Sequence, residues 1–273
     1  MRKIIILFLM VLSAQVASAQ AGAYGLFDYN ASSYIVRYNH TEVRSIASIT
    51  KLFTAVTVLR SGVSLDEKIQ VNGKSSGHVP QGVYMTRMDL MRAMIITSDN
   101  RAAETLANHH PGGFNKFLVD ANSYIENNAM LDTTIVDSTG LKPGNKSTAR
   151  DLIEFLNQIK NNTVIRAIAN ERNMVLNVPK GKKTITINLH NTNPDLFVYD
   201  NILISKTGFT NPAGRCVIML VEKGKDLFGV VVLGQTNVKN RSKVVGELLS
   251  MDVEPTPSPK ITVTVEFEFS PPL

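Results

Sequence analysis

The sequence predicts an α+β protein in which one mostly antiparallel sheet, assembled from the two ends of the chain, is flanked by helices and carries a helical insertion. Three observations lead there: strand-like alternation near the N-terminus, helix-periodic segments through the middle, and a return to strand patterning from Lys183. With 273 residues and 44% apolar content, the chain has ample material for a substantial core.

The first nineteen residues, MRKIIILFLMVLSAQVASA, combine a basic start (Arg2, Lys3), an apolar run from Ile4 to Val11, and Ala17 and Ala19 in an A-x-A pattern. This is the pattern of a secretory signal peptide cleaved after Ala19. The apolar run falls short of the ~20 residues that a spanning helix needs, so no transmembrane anchor is expected after cleavage. Cleavage removes two basic residues and no acidic one, lowering the net charge from +6 to +4. That is mildly basic without a clustered basic stripe, so no nucleic-acid partner is expected. The predicted location is secreted, periplasmic or cell-envelope.

Next, YGLFDYN and SSYIVRYN flank the turn-prone Asn30-Ala31-Ser32 as a hairpin. In RSIASITKLFTAVTVL, residues Ile49, Leu52, Phe53, Val56 and Leu59 recur at helical spacing, and Gly62 ends the helix. From about 63 to 183 the chain reads as helices and loops. Among them are Thr86 to Ile96, opened by Thr86 and Asp89 in a capping-box-like arrangement, and the amphipathic TARDLIEFLNQIK. Four strands follow, TITINLH, ILISKTG, CVIMLV and LFGVVVLG, the last two joined by Glu222-Lys223-Gly224-Lys225, and then a closing helix, NRSKVVGELLS. The main domain thus covers 20–250. A Pro-rich break, EPTPSPK, sets off a 251–273 tail in which Ile261, Val263, Val265, Phe267 and Phe269 share one face of a possible strand. A cleft is expected where sheet and insertion meet. The single cysteine, Cys216, lies in an apolar run and reads as a small buried hydrophobe; the scattered histidines offer no metal spacing.

Three short motifs carry candidate chemistry. Ser48 and Lys51 stand three residues apart on one helix face, close enough for the amine to deprotonate the hydroxyl, while a helix N-terminus aims N–H groups at a developing oxyanion. An ordinary lysine titrates near ~10.4, so this needs desolvation or a second cation; a capped helix start is the plain alternative. Ser98-Asp99-Asn100 ends one helix and equally suits the cap of the next, Arg101 to Asn108. Lys206-Thr207-Gly208 ends a strand, where the lysine can bind a carboxylate and Gly208 lets substrate backbone approach the edge; a solvated strand end explains it equally.

Taken in order, S-x-x-K, S-D-N and K-T-G form the signature set of penicillin-binding proteins and class A β-lactamases. The stretches RSIASITKLFTA, ITSDNRAAETLA, DSTGLKPGNKSTARDL and SKTGFTNPAGRC resemble the low-molecular-mass penicillin-binding proteins of the serine D-alanyl-D-alanine peptidase family, from about Tyr24 to Leu249. HHPGGFNKF, NTNPDLFVYDN and KTGFTNPAGRC resemble its D,D-endopeptidase branch most. The resemblance implies a β-lactamase/transpeptidase-like fold and an acyl-enzyme on Ser48, with Lys51 accepting the proton. Ser98 relays a proton to the leaving amine, Asn100 hydrogen-bonds the substrate amide, and Asp99 orients the turn. Lys206 helps keep Lys51 neutral and attracts the substrate carboxylate, with Thr207 and Thr210 as hydroxyl partners. The backbone N–H groups of Ser48 and Phe209 form the oxyanion hole.

Peptidoglycan stem peptides and covalently bound β-lactams are the implied partners, with no cofactor and no metal. The class A β-lactamase branch needs an E-x-x-L-N glutamate; Glu154-Phe155-Leu156-Asn157 is one residue short and inside an amphipathic helix, so that branch is rejected. The 23 residues after Ser250 are too few for the β-rich domain and amphipathic helix common in the family's carboxypeptidases. The reading is therefore a secreted D,D-peptidase cleaving D-alanyl to diaminoacyl cross-links. A D-alanyl-D-alanine carboxypeptidase and a lapsed, non-catalytic wall-binding protein are the alternatives.

Overall fold

The computed structural model of the chain describes residues 22–251; the signal-like segment and the tail strand lie outside the described residues. The two ends of the described stretch meet as expected. Strands β1 (Ala23–Asp28) and β2 (Ser33–Tyr38) join β9 (Ile202–Thr210), β10 (Gly214–Lys223) and β11 (Asp226–Gln235) in one five-stranded sheet ordered β2-β1-β11-β10-β9. All neighbours are antiparallel, with Tyr24 opposite Val232 and Leu26 opposite Val230. The β10–β11 turn bends at Gly224, whose φ of +67° suits glycine.

Period-2 alternation splits the sheet's side chains between two cores. Tyr24, Leu26, Val217, Met219, Val230 and Val232 pack against Val244, Val245 and Leu248 of the closing helix, α7 (Val238–Leu249). On the opposite face Ile204, Ile218, Leu220, Val231 and Leu233 join the larger core built around α1 (Thr50–Arg60) and α5 (Ala149–Ile159). Helix α1 is buried from Thr50 through Val58, and Phe53 stacks on Phe155 with ring centroids 3.9 Å apart. A helix enclosed on all sides must satisfy its polar side chains internally. Thr50 donates to the Ala47 carbonyl, Thr54 to that of Ser138 and Thr57 to that of Phe53.

Beside the sheet stand α2 (Arg87–Ile96), α3 (Asn100–Asn108), α4 (Gly113–Asn127) and α6 (Thr163–Ala169). Thr86 caps α2 by accepting from the Asp89 N–H at 3.0 Å, as the sequence suggested. The stretch from 63 to 183 is not purely helical, however. It contains the short pair β4 (Lys68–Gln70) and β5 (Tyr84–Thr86), as well as β6 (Lys146–Ser147), which pairs with β3 (Arg44–Ser45). It also contains β7 (Asn173–Lys180), in full antiparallel register with β8 (Lys183–His190). In NMVLNVPK the inward set is Met174, Leu176 and Val178; intervening asparagines and Pro179 mask the alternation, and pairing across the Gly181 turn, at φ +60°, supplies the strand. Cys216 is buried on β10.

Candidate active site

Ser48 does not stand in the α-helix itself. It is the middle residue of a 3-10 turn, Ala47–Ile49, that feeds α1, and Ala47 before it adopts a left-handed φ of +46°. Such a conformation in a non-glycine residue costs roughly 1–3 kcal/mol and persists only where the surroundings enforce it. Two glycines provide that enclosure. A Cβ on Gly140 would lie 1.9 Å from the Ala47 carbonyl oxygen, and one on Gly208 would lie 2.7 Å from the Ile46 oxygen and 3.0 Å from the Ser48 nitrogen. Gly208 therefore admits the chain's own Ile46–Ser48 turn against the edge strand β9, a close approach that the sequence reading did not anticipate.

Gly140→Ala consequently meets both a backbone clash and φ +84°, whereas Gly62→Ala, at φ +72° with open space around it, meets only the dihedral strain. Urea unfolding should show Gly140→Ala destabilised by about 2 kcal/mol or more and by clearly more than Gly62→Ala; equal losses would refute the enclosure.

The turn brings Lys51 Nζ to 2.9 Å from Ser48 Oγ. The same nitrogen lies 2.7 Å from Asn100 Oδ1 and 2.6 Å from the Thr139 carbonyl. Both of these oxygens only accept. A neutral amine has two N–H bonds to give them and one lone pair, which is left for the Ser48 hydroxyl. Lys51 is 0% exposed, and burial lowers its pKa to about 7, against the upward pull of Asp137, Asp99 and Glu104. Burial is the dominant cause, one of the two that the sequence reading offered, the other being a second cation such as Lys206.

Asn100 opens α3, held by the cap of Asp99, whose carboxylate accepts from the Ala102 N–H at 2.8 Å and, through its other oxygen, from Val79 at 3.0 Å and from His78. Ser98 precedes it at φ +59°, a second strained elbow. Lys206 is buried on β9 and donates to the Thr207 carbonyl at 3.0 Å. Burial, then the charges of Lys51 and Arg241, hold its pKa well below the usual lysine value. The Thr207 hydroxyl shares a 2.6 Å hydrogen bond with Thr192. Phe209 is 46% exposed at the end of the edge, with the Arg215 guanidinium 3.6 Å from its ring centroid. The Thr210 hydroxyl accepts from the Ala213 N–H at 3.3 Å and so closes the β9–β10 turn. Among the described residues, Ser48, Lys51 and Asn100 meet by direct hydrogen bonds, Gly208 abuts them, and no hydrogen bond ties Ser98 or Lys206 to Ser48 or Lys51.

Two contributions escaped the sequence reading. Asp137 organises the loop that presents the Thr139 carbonyl to Lys51, accepting from the N–H groups of Thr139 at 2.7 Å, Gly140 at 2.6 Å and Lys142 at 2.8 Å. Burial raises its pKa, but these bonds and the Thr139 hydroxyl outweigh it and hold the carboxyl below the usual range. An Asp followed by Ser-Thr-Gly is the local sign of such a turn. Arg241, buried on α7, sits 3.3 Å from Asn193 Oδ1 and 3.5 Å from Asp195. Its sequence signal is an arginine in register with Val244, Val245 and Leu248 on an apolar helix face. Glu154, by contrast, bonds Gln158 at 2.5 Å on α5 and has no part in this site.

Comparison with known proteins shows the family to which the chain belongs. A family model described as D-alanyl-D-alanine carboxypeptidase matches residues 10–237. A D-alanyl-D-alanine endopeptidase of Escherichia coli is 35% identical over 208 residues, which are 73% of this chain and 66% of that protein. Among solved structures, a Streptomyces DD-transpeptidase superposes with a TM-score of 0.78 at 21% identity, over 83% of this chain and 94% of the other, a likeness of fold. A penicillin-binding protein of Listeria monocytogenes, in its cefotaxime-bound form, superposes with a TM-score of 0.73 at 26% identity, over 84% and 95% of the two chains.

Proposed function

The chain belongs to the D-alanyl-D-alanine carboxypeptidase family, and we propose that within it this protein is an exported serine D,D-peptidase that cleaves D-alanyl to diaminoacyl cross-links of peptidoglycan. The observation that carries the enzymatic reading is the three-partner environment of Lys51, which leaves a lone pair beside the Ser48 hydroxyl. Ser48 Oγ attacks the D-alanyl carbonyl as its proton passes to Lys51 Nζ. The oxyanion is held by the Ser48 and Phe209 N–H groups, a role supported by the close approach of β9 to the Ile46–Ser48 turn. Ser98 passes a proton to the leaving amine, and water then hydrolyses the ester on Ser48. Asn100 and Thr207 orient the substrate. Lys206, buried with one carbonyl partner and Arg241 behind it, retains donors for the substrate carboxylate.

The endopeptidase assignment rests on the sequence of the E. coli relative. A carboxypeptidase is the second reading, favoured by the description of the family model. Given cross-linked muropeptide dimers, the purified protein should release monomers faster than it releases D-alanine from pentapeptide monomers; the reverse order would make it a carboxypeptidase. A non-catalytic binder has no need of a buried lysine with a lowered pKa against a serine hydroxyl.

A further inference from the structure

We propose that the β7–β8 hairpin is a docking arm for the carboxylate-bearing stem peptides of insoluble peptidoglycan, a role that rests on the wall-peptidase reading above. The hairpin buries Leu176, Val178, Ile187 and Leu189 and turns its other face to solvent. That outer face is a ladder of cross-strand pairs, Asn173 with His190, Val175 with Asn188, Asn177 with Thr186 and Pro179 with Thr184; the next pair, Lys180 opposite Lys183, has the parity of the inward face but lies beyond the core, exposed at the turn. The tip, Lys180-Gly181-Lys182-Lys183, carries three exposed cations, and Asn173 to His190 contains no Asp or Glu. Among the described residues none of these lysines forms an ion pair, although the arginine at the foot of the hairpin, Arg172, pairs with Asp200. The base of the arm is fixed to the site. Asn191 N–H donates to the Arg172 carbonyl at 2.9 Å, Thr192 N–H to that of Ile96 at 3.2 Å, and the Thr192 hydroxyl bonds Thr207.

Eight residues of strand at ~3.3 Å each place the cationic tip roughly 25 Å along the arm from this anchor. A small soluble substrate filling the cleft does not extend that far, whereas a wall polymer presents further stem peptides at such distances. Hydrogen-bonding Asn and Thr side chains along the ladder suit a polar strand, and the unpaired cations at its end suit carboxylates. Attraction of this kind weakens with salt, because exposed charges are screened beyond a Debye length of ~8 Å at physiological ionic strength.

The test compares the native chain with a triple variant, Lys180→Ala, Lys182→Ala and Lys183→Ala, on purified sacculi stripped of phosphate-containing polymers by hydrofluoric acid. Retention of the variant at low salt should fall by about tenfold or more, and native retention should fall towards the variant's as salt rises. Turnover of soluble dimers and penicillin labelling should match between the two chains. Equal retention on stripped sacculi overturns the proposal, as does a difference that appears only on unstripped wall, which would identify phosphodiesters as the ligand. Failure of the native chain to label with penicillin would refute the enzymatic reading separately, and the retention comparison would still decide the role of the arm.

Discussion

Ser48→Ala should abolish covalent capture of penicillin, whereas the native chain gains the mass of one penicilloyl group and keeps it. The serine is half-buried, and its hydroxyl meets the Lys51 amine, so the unfolding free energy should change little, by about 1 kcal/mol or less. Loss of the attacking oxygen removes the acylation step outright, and peptide turnover should fall by about 10⁴-fold or more. Persistence of the native adduct follows from what surrounds the ester. The amine leaving group of a peptide departs and opens a path for water, but the opened β-lactam ring remains tethered over the carbonyl. Activating water against that ring needs a general base. Glu154, the residue nearest to the β-lactamase pattern in sequence, is engaged with Gln158 on α5. Intact-protein mass spectrometry after a brief penicillin pulse checks both statements. An adduct on Ser48→Ala at the native rate would sink the nucleophile assignment, and rapid return of the native chain to its unmodified mass would make it a β-lactamase.

The parts of this molecule that were legible in sequence are those whose signal is local. The apolar runs CVIMLV and LFGVVVLG, the cap at Thr86 and the Gly224 turn each declare themselves within a few residues, and all appear where expected. The hairpin strand β7 did not, because its inward Met174, Leu176 and Val178 become a strand only when β8 pairs with them. The motifs pointed to the residues proposed for the chemistry but not to what tunes them. Whether burial or a neighbouring cation lowers the Lys51 pKa depends on how α1 is enclosed, and no spacing reports that. The Thr139 carbonyl is a backbone atom brought 88 positions along the chain to Lys51, so no side-chain pattern marks it. Asp137 acts from behind the site by holding the loop of the Thr139 carbonyl, and Arg241 through its charge near Lys206.

Lys51 links catalysis to stability, and its pH dependence should expose both. In the folded chain its pKa is lowered by burial to about 7, against the ordinary lysine value of 10.5. Acylation needs the neutral amine, so the penicillin-labelling rate should climb with pH and level off above about 7. Lys51→Met should lower that rate by about 10³-fold at every pH, since the methionine sulfur is no base for the serine hydroxyl. The stability effect begins where the labelling rate levels off. Between the folded and unfolded pKa values the unfolded chain binds a proton that the folded chain does not, so unfolding free energy increases with pH across that interval. The slope is up to about 1.4 kcal/mol per pH unit for one such group. Below the folded pKa both states are protonated and the slope vanishes. Lys206, lowered in the same direction by burial and by Lys51 and Arg241, adds a second contribution of the same sign. Urea titrations between pH 7.5 and 9.5 should therefore give a rising native stability and a distinctly shallower rise for Lys51→Met, with the remainder belonging to Lys206. Parallel slopes for the two proteins, or a labelling rate indifferent to pH around neutrality, would mean that Lys51 is charged in the resting site and that the serine hydroxyl loses its proton elsewhere.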